Sequence, residues 1–174
     1  MIGLKMRKKA VIWVSTVLYI LITIAVIGIA FAALKPKIDE MRDKAIIEQS
    51  IEMMGKLDET ILQVSEVQGN VRQVQLNIKK GELDLDCEND KIIWIFNSAY
   101  KYSEENKNLN IGKIVLRTAR KEGSSNLWTI TLTISETDLK YKEKDEKKRI
   151  AASELPISLT IENKGDFIDF EANI

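Results

Sequence analysis

The 174-residue chain lacks several residue types on which enzyme chemistry commonly depends: it has no histidine and a single cysteine. Without histidine it lacks the commonest general base and the commonest transition-metal ligand. Because Cys87 is alone, no intrachain disulfide or cysteine-based zinc site can form, and we expect Cys87 to be a small buried apolar residue. No nucleophile–base pair or phosphate-cradling glycine loop is present. The sequence therefore predicts a protein that is not an enzyme and has no cofactor.

An excess of charge of one sign is also lacking, since 26 basic and 26 acidic side chains cancel. Proteins that bind nucleic acid carry a basic surface that neutralises phosphates. The balance of charge thus argues against nucleic acid as a partner. N-glycosylation is not expected either, because no Asn-x-Ser/Thr sequon occurs.

The chain does contain a long uncharged run, from Ala10 to Leu34. As one helix its 25 residues would span about 37 Å, more than the ~30 Å of a bilayer's hydrocarbon core. The leader before it carries Lys5, Arg7, Lys8 and Lys9 and no acidic residue. Since basic flanks stay in the cytoplasm, we predict a single-pass membrane protein whose C-terminal part is extracellular.

Three fates of this N-terminus are compatible with the residues. The run can remain as an uncut anchor. It can be a secretory signal cut after Ala32, where Ala30–Ala32 has the A-x-A form, although the run exceeds the usual ~7–15 apolar residues. Or the leader can be cut after Ala10, which keeps the apolar helix and leaves 22 basic and 26 acidic side chains, a net charge of −4. The residues of this last processing site are Arg7, Lys8, Lys9, Ala10 and Val11.

The third arrangement resembles the class III leader of type IV pilins and archaeal flagellin-like proteins, and Val14–Leu18 resembles the start of many archaeal pilin helices. Two positions depart from the bacterial pattern: Ala10 replaces the commoner glycine before the cut, and Ser15 stands where bacterial pilins have glutamate. Archaeal relatives often lack that glutamate, so its absence favours an archaeal member. The segments Asn77–Leu83 and Asp90–Trp94 resemble the first hairpin of archaeal pilin-like β-domains. The resemblance implies a prepilin-type peptidase and pilus assembly machinery, including an ATPase and a platform protein, as partners.

A second helical segment is predicted between residues 35 and 69. Pro36 predicts a kink or short break before it, because proline cannot donate the i→i−4 hydrogen bond. Gly69-Asn70 predicts its end. Its apolar residues form one stripe, which we expect to pack on the protein's own sheet or on neighbouring copies. They are Ile38, Met41, Ala45, Ile47, Ile51, Met54, Leu57, Ile61 and Val64.

Within the apolar run, Ser15, Tyr19 and Thr23 share one helix face, and Gly28 adds a small residue farther along. Helices in lipid associate through small and hydroxyl-bearing residues, so this face is a candidate for helix–helix packing and self-association. The alternative is that the hydroxyls bond back to carbonyls of their own helix.

From residue 70 onward the apolar period changes from 3.6 to 2. Val74–Ile78 and Leu83–Cys87, joined by Lys79–Glu82, predict a hairpin. Ile92–Phe96 predicts a central strand. Further strands are expected at Lys113–Thr118, at Trp128–Ile134 and, as a second hairpin, at Ile157–Ile161 and Phe167–Phe170. Six to eight strands favour an antiparallel β-sandwich or a partly open β-barrel.

Two polar groups of residues are candidate sites in this β-rich part. The first places an acid at every second position, which could supply oxygen ligands to calcium or form a solvated strand face. The second is Glu136–Arg149, with eleven charges in 14 residues, which we expect to be a solvated loop or a protruding edge, or else an adhesion surface. The acids of the first are Asp84, Asp86, Glu88 and Asp90.

The predicted fold class is thus α+β and pilin-like: a leader (1–10), a hydrophobic helix (11–34), an amphipathic helical stalk (35–69) and an extracellular β-rich domain (70–174). The expected function is that of a structural subunit, processed after Ala10 and assembled through its helix into a surface filament, with the β-domain outside for adhesion. The alternative is an uncut, membrane-tethered β-domain that serves as an accessory, stator-like or envelope-binding module.

Overall fold

A computed structural model describes the backbone of residues 3–173 and the side chains of residues 13–173. The chain divides into two compact units, residues 1–39 and 40–174. Its elements are one helix and ten strands. They are α1 (Gly3–Ser65), β1 (Val71–Leu76), β2 (Glu82–Asp86), β3 (Lys91–Ser98), β4 (Asn108–Ile111), β5 (Ile114–Arg120), β6 (Trp128–Ser135), β7 (Leu139–Tyr141), β8 (Lys147–Ala151), β9 (Ile157–Asn163) and β10 (Ile168–Asn173).

Helix α1 continues through Pro36, so the interruption expected there does not occur. A proline inside a helix removes one backbone donor and crowds the preceding turn. The residues on either side are helical over many turns, and their hydrogen bonds outweigh the one that is lost. The helix ends at Ser65, four residues before the predicted stop at Gly69.

In the second unit, one stripe of α1 is buried against the β-strands. The buried positions follow one another at alternating steps of four and three residues, which keeps them on a single helix face. This confirms that the stripe packs on the protein's own sheet, but its members differ from those expected. Ile38, Met41 and Ala45 are exposed and Ile51 is only partly buried, while Asp43 and Ser50 are buried. The buried set is Asp43, Ile47, Ser50, Met54, Leu57, Ile61 and Val64.

Two sheets follow the helix and share one hydrophobic core with it. The four-stranded sheet has the order β1-β9-β10-β7 and the six-stranded sheet the order β4-β5-β6-β3-β2-β8. Every neighbouring pair is antiparallel except β7 and β10. Alternate side chains of β3, β5, β6, β9 and β10 are buried, as in strands with one face on a core. The architecture is α+β: a long N-terminal apolar helix followed by two mainly antiparallel sheets.

Contacts at two levels align α1 with the six-stranded sheet. Asp43 accepts a hydrogen bond from the N–H of Ala99, just after β3. Fifteen residues later, Asp58 lies 3.5 Å from the Nζ of Lys113, just before β5. We name the end of the second unit at Asp43 the entry end, because α1 enters the unit there, and the end at Lys113 the distal end.

The hairpin predicted from β1 and β2 is wrong. β1 pairs with β9, whereas β2 pairs with β3 and β8, so the two strands belong to different sheets. The connection crosses between the sheets at Gly81, which has φ +80° and where a Cβ atom would lie 2.1 Å from the carbonyl oxygen of Ile95. The indole N–H of Trp94 donates to the carbonyl of Lys80 and fixes this crossing. Local alternation predicted both strands, but it carries no information on their partners.

Other β predictions are confirmed. β3 contains Ile92–Phe96 and lies between β6 and β2, as expected for a central strand. β6 contains Trp128–Ile134, and the side chains on its inner face, Ile130, Leu132 and Ile134, are buried. β9 and β10 form the predicted second hairpin.

The expected count of six to eight strands is too low. β4 was not predicted, and the charged segment Glu136–Arg149, expected to be a solvated loop or a protruding edge, contains β7 and the start of β8. Both are edge strands of their sheets, as the protruding-edge alternative implied. Leu139 and Ile150 anchor them in the core, and the surrounding charges hide this apolar signal in the sequence.

Candidate functional site

The apolar part of α1 is the main candidate site, because from Trp13 to Leu34 every side chain is exposed. Large apolar residues are among the most open, with Tyr19 at 71% and Phe31 at 67% exposure. Exposed apolar surface on this scale marks a contact surface for lipid or protein. By length and composition, this is the one helix in the described residues that could cross a membrane.

The predicted processing residues precede this surface. Arg7, Lys8, Lys9, Ala10 and Val11 belong to the helical backbone of α1, but they lie outside the residues whose side chains the structure describes. The processing site therefore stays a prediction from the sequence.

The candidate packing face of Ser15, Tyr19, Thr23 and Gly28 is exposed. The Thr23 hydroxyl donates to the carbonyl oxygen of Tyr19 at 2.8 Å, so its proton is used within the helix, as the alternative reading expected. Beside Gly28, no atom lies within 4 Å of the position that a Cβ would occupy. The face therefore offers open space for a neighbouring helix, but the Thr23 hydroxyl already donates its hydrogen bond within α1.

The alternating acids of β2 and the following turn do not converge on a common point. Asp84 binds Arg149 through two hydrogen bonds, of 2.8 and 3.2 Å. Asp90, with φ +52°, accepts the N–H of Leu139 at 2.9 Å. Glu88 is exposed in the turn. No group of three or more acidic, cysteine or histidine side chains in the described part of the chain is arranged to hold a metal ion.

Asp86 is the buried member of this series. It pairs with the Nζ of Lys147 at 2.8 Å and accepts two hydrogen bonds from the Asn89 amide, both of 3.1 Å. Burial alone would raise the pKa of Asp86, but the hydrogen bonds from Lys147 and Asn89 outweigh it and lower that pKa. The acid fastens the edge strand β8 and the turn to β2.

Cys87 is buried, as expected, at 4% exposure. Its burial, together with the negative charges of Asp145, Asp169, Asp86 and Asp90, raises the pKa of the thiol to about 11. Since the thiolate is the reactive form, Cys87 is protonated and unreactive at neutral pH.

Polar contacts that sequence reasoning missed fasten α1 to the sheets. Asp43, at 6% exposure, receives the Lys80 ammonium on one oxygen and the Ala99 N–H on the other, both at 2.5 Å. At the C-terminal end of α1, the Asn163 amide donates to the carbonyls of Val64 and Ser65 at 3.1 and 3.2 Å. These carbonyls have no hydrogen-bond partner inside the helix, so Asn163 satisfies them. These partners lie far apart in the sequence, so no local pattern announces them.

A third contact contains two acids and one base. Lys113 lies 3.5 Å from Asp58 on the helix and 3.2 Å from Glu136 after β6. Burial and the neighbouring carboxyl of Asp58 raise the pKa of Glu136, while Lys113 acts in the opposite direction. The second unit thus holds its own part of α1 by a buried stripe and by polar contacts along its length.

Comparisons of the chain with protein-family models, with curated proteins and with solved structures give no match. Its function must therefore be inferred from its own residues. They provide a helix with a fully exposed apolar segment and, on the same helix, a segment fixed to a β-domain.

Proposed function

We propose that the chain is a pilin-like structural subunit, inserted in the membrane with its N-terminus inside, processed after Ala10 and assembled into a surface filament. The contrast in exposure along α1 carries the proposal. Between Trp13 and Leu34 no apolar side chain is covered, whereas the stripe from Asp43 to Val64 is buried in the protein's own core. The first segment therefore needs an external apolar partner, and the second does not.

Lipid and a bundle of neighbouring helices can each serve as that partner. Both are apolar, so transfer from one to the other changes helix packing but not hydration. The exposed Tyr19 face and the open space beside Gly28 suit close approach of a second helix. In the assembled filament the β-domain lies outside, where the charged edge strands β7 and β8 are available for adhesion.

The test of processing replaces Lys8 and Lys9 together by Ala in the native host. In the proposed subunit this change blocks removal of residues 1–10, so the chain keeps Met1 and sheared filaments lose it. The matched control replaces Lys35 and Lys37, the two lysines on the other side of the apolar run, and should be processed normally. A mature start at Val11 in the Lys8/Lys9 variant would contradict a basic-leader recognition site.

A second candidate function is an uncut, tethered β-domain that never polymerises and binds another envelope component. One observation favours it: the Thr23 hydroxyl is bonded within its own helix, so its proton is not available to a neighbouring helix. In that case the chain retains Met1 and remains with the membrane after shearing. The same fractionation therefore separates the two functions.

A further inference from the structure

A cluster of aromatic rings and cations lies at the entry end of the second unit. The Lys101 Nζ and the Arg120 guanidinium carbon each lie 5.0 Å from the centre of the Trp128 ring. Tyr100 and Tyr102 pack edge to face, 6.4 Å apart. All three rings are partly buried against the core, while Lys101 and Arg120 are exposed. We name the set Lys44, Tyr100, Lys101, Tyr102, Arg120 and Trp128 the entry face.

Side-chain contacts tie the entry face to the point where α1 enters the unit. Lys44 lies 5.9 Å from the Tyr100 ring, and its neighbour Asp43 binds the N–H of Ala99. Only five residues separate Leu34, the last residue of the apolar run, from Glu40. Six residue steps reach at most about 22 Å even when fully extended. If the run spans a bilayer, the entry end lies within that reach of its outer boundary.

The second unit is acidic as a whole. Residues 40–174 carry 20 basic and 25 acidic side chains, a net charge of −5. At the distal end, burial and the negative charges of Asp145, Asp169, Asp86 and Asp90 raise the pKa of the Cys87 thiol.

The cations of the entry face are weakly paired with acidic side chains. Arg120 is 3.6 Å from Glu105 and Lys44 is 3.8 Å from Glu48, both long ion pairs. Lys101 has no acidic partner among the described residues. Tryptophan and tyrosine favour the headgroup level of a bilayer, and lysine and arginine near its surface are attracted by anionic lipids.

We propose that the entry face rests on anionic lipid headgroups of the membrane that α1 crosses, so that before assembly the β-domain lies against the bilayer. This inference depends on the membrane anchoring proposed above. Contact with lipid orients the domain with its distal end outward. Filament assembly would then have to release the entry face from the headgroups.

The test uses the full chain, reconstituted into vesicles of phosphatidylcholine alone or of phosphatidylcholine with 30% phosphatidylglycerol, both containing a headgroup nitroxide lipid. A Trp13→Phe background removes the indole of the apolar segment, and Trp94 is only 2% exposed. The quenching of Trp128 is the quenching measured in the Trp13→Phe chain minus that measured in a Trp13→Phe/Trp128→Phe chain. It reports contact of Trp128 with the headgroups. Retention of the chain on floated vesicles after an alkaline wash reports anchoring separately.

The critical variant is Lys101→Glu, and the matched control is Lys91→Glu. Lys91 begins β3 at the distal end, is exposed, and makes no ion pair among the described residues. We expect strong quenching of Trp128 only in anionic vesicles. The ratio of docked to free β-domain should fall about fivefold or more in Lys101→Glu and should not change in Lys91→Glu. Lys101→Gln, which removes the charge without reversing it, should lie between them and guards against a folding defect.

Each remaining outcome overturns the inference. Equal quenching in neutral and anionic vesicles, or equal loss in the two glutamate variants, excludes an anionic headgroup contact while leaving the anchor intact. Loss of the chain from floated vesicles removes the anchor itself, and the proposed function with it.

Discussion

The two parts of helix α1 differ in how their apolar residues are arranged and in what surrounds those residues. From Trp13 to Leu34 apolar residues surround the helix and all are exposed, whereas from Asp43 to Val64 they form one stripe and that stripe is buried. A helix that is apolar all round needs an apolar environment on every side, while a striped helix needs only one packed face. Apolar residues on all sides of the helix thus mark the segment that contacts the exterior, and a one-sided apolar stripe marks the segment that the domain holds.

The largest effect is expected from charge in the exposed half. Replacing Ile22 and Val26 together by Asp should cost about 5–7 kcal/mol of membrane insertion, because each acid near the centre of a span is costly. The chain should then be lost from alkali-washed membranes. The control replaces Ile38 and Met41 by Asp, two exposed apolar residues beyond the run, and should stay in the membrane fraction. Equal retention of both variants would contradict the difference between the segments.

The next effect concerns the buried stripe. Leu57→Ala should lower the free energy of unfolding of the β-domain by about 2–5 kcal/mol, since Leu57 is 1% exposed and its loss leaves a cavity. Leu21→Ala makes the same change at 61% exposure and should leave that free energy unchanged. Chemical denaturation in detergent, followed by far-UV circular dichroism, measures both. A similar loss in Leu21→Ala would show that the domain depends on the exposed half as well.

A smaller loss is expected at the entry end. Asp43→Ala removes a buried acceptor from the Lys80 ammonium and from the Ala99 N–H, and should cost about 1–3 kcal/mol. Glu48→Ala removes an exposed pair with Lys44 and should cost less than about 0.5 kcal/mol. Hydrogen exchange at the Ala99 amide should rise in the first variant only. Unchanged protection there would mean that Asp43 does not hold the helix.

The smallest effect should be a dependence on pH at the distal contact. Because burial and Asp58 raise the pKa of Glu136 in the folded protein, the protonated form is favoured by folding. This contribution to stability is complete below the ordinary glutamate pKa of 4.5 and is lost as pH rises through the folded-state pKa of Glu136. Glu136→Gln, which stays neutral, should abolish this part of the pH profile and gain less than about 1 kcal/mol at neutral pH.

Glu59→Gln serves as the control for Glu136→Gln, because Glu59 is exposed on the same helix as Asp58. Denaturation curves of the two variants across pH 4–8 make the comparison. A profile like that of the unmodified protein in Glu136→Gln would exclude this carboxyl pair as the source of the pH dependence.

Local patterns predicted the parts of the fold that depend on neighbours in the sequence. The alternation of Trp128–Ile134 and the turn between Ile161 and Phe167 predicted β6 and the β9–β10 hairpin, both confirmed. The partner of β1 could not be predicted, because β9 lies about 80 residues away and the crossing at Gly81 depends on the close approach of Ile95. Charge also concealed structure: Asp43 belongs to the buried stripe because Lys80 and Ala99 satisfy its oxygens.

The candidate site was predictable for a different reason. An uncharged run such as Ala10–Leu34 is visible from composition alone, and the structure leaves its described part exposed. The spacing of three acids suggested a cation site, but each acid has a partner within the protein. Asp84 binds Arg149, Asp86 binds Lys147, and Asp90 accepts the Leu139 N–H. Spacing along a strand does not reveal which partners the adjacent strands bring.

The most direct test of the proposed function is the intact mass and N-terminal residue of the native protein in membrane, sheared-filament and medium fractions. A pilin-like subunit should begin at Val11 in the sheared fraction, with its apolar helix retained. A chain that begins at Met1 and is confined to membranes would contradict the filament and leave a tethered β-domain. A chain that begins at Ala33 in the medium would contradict both functions.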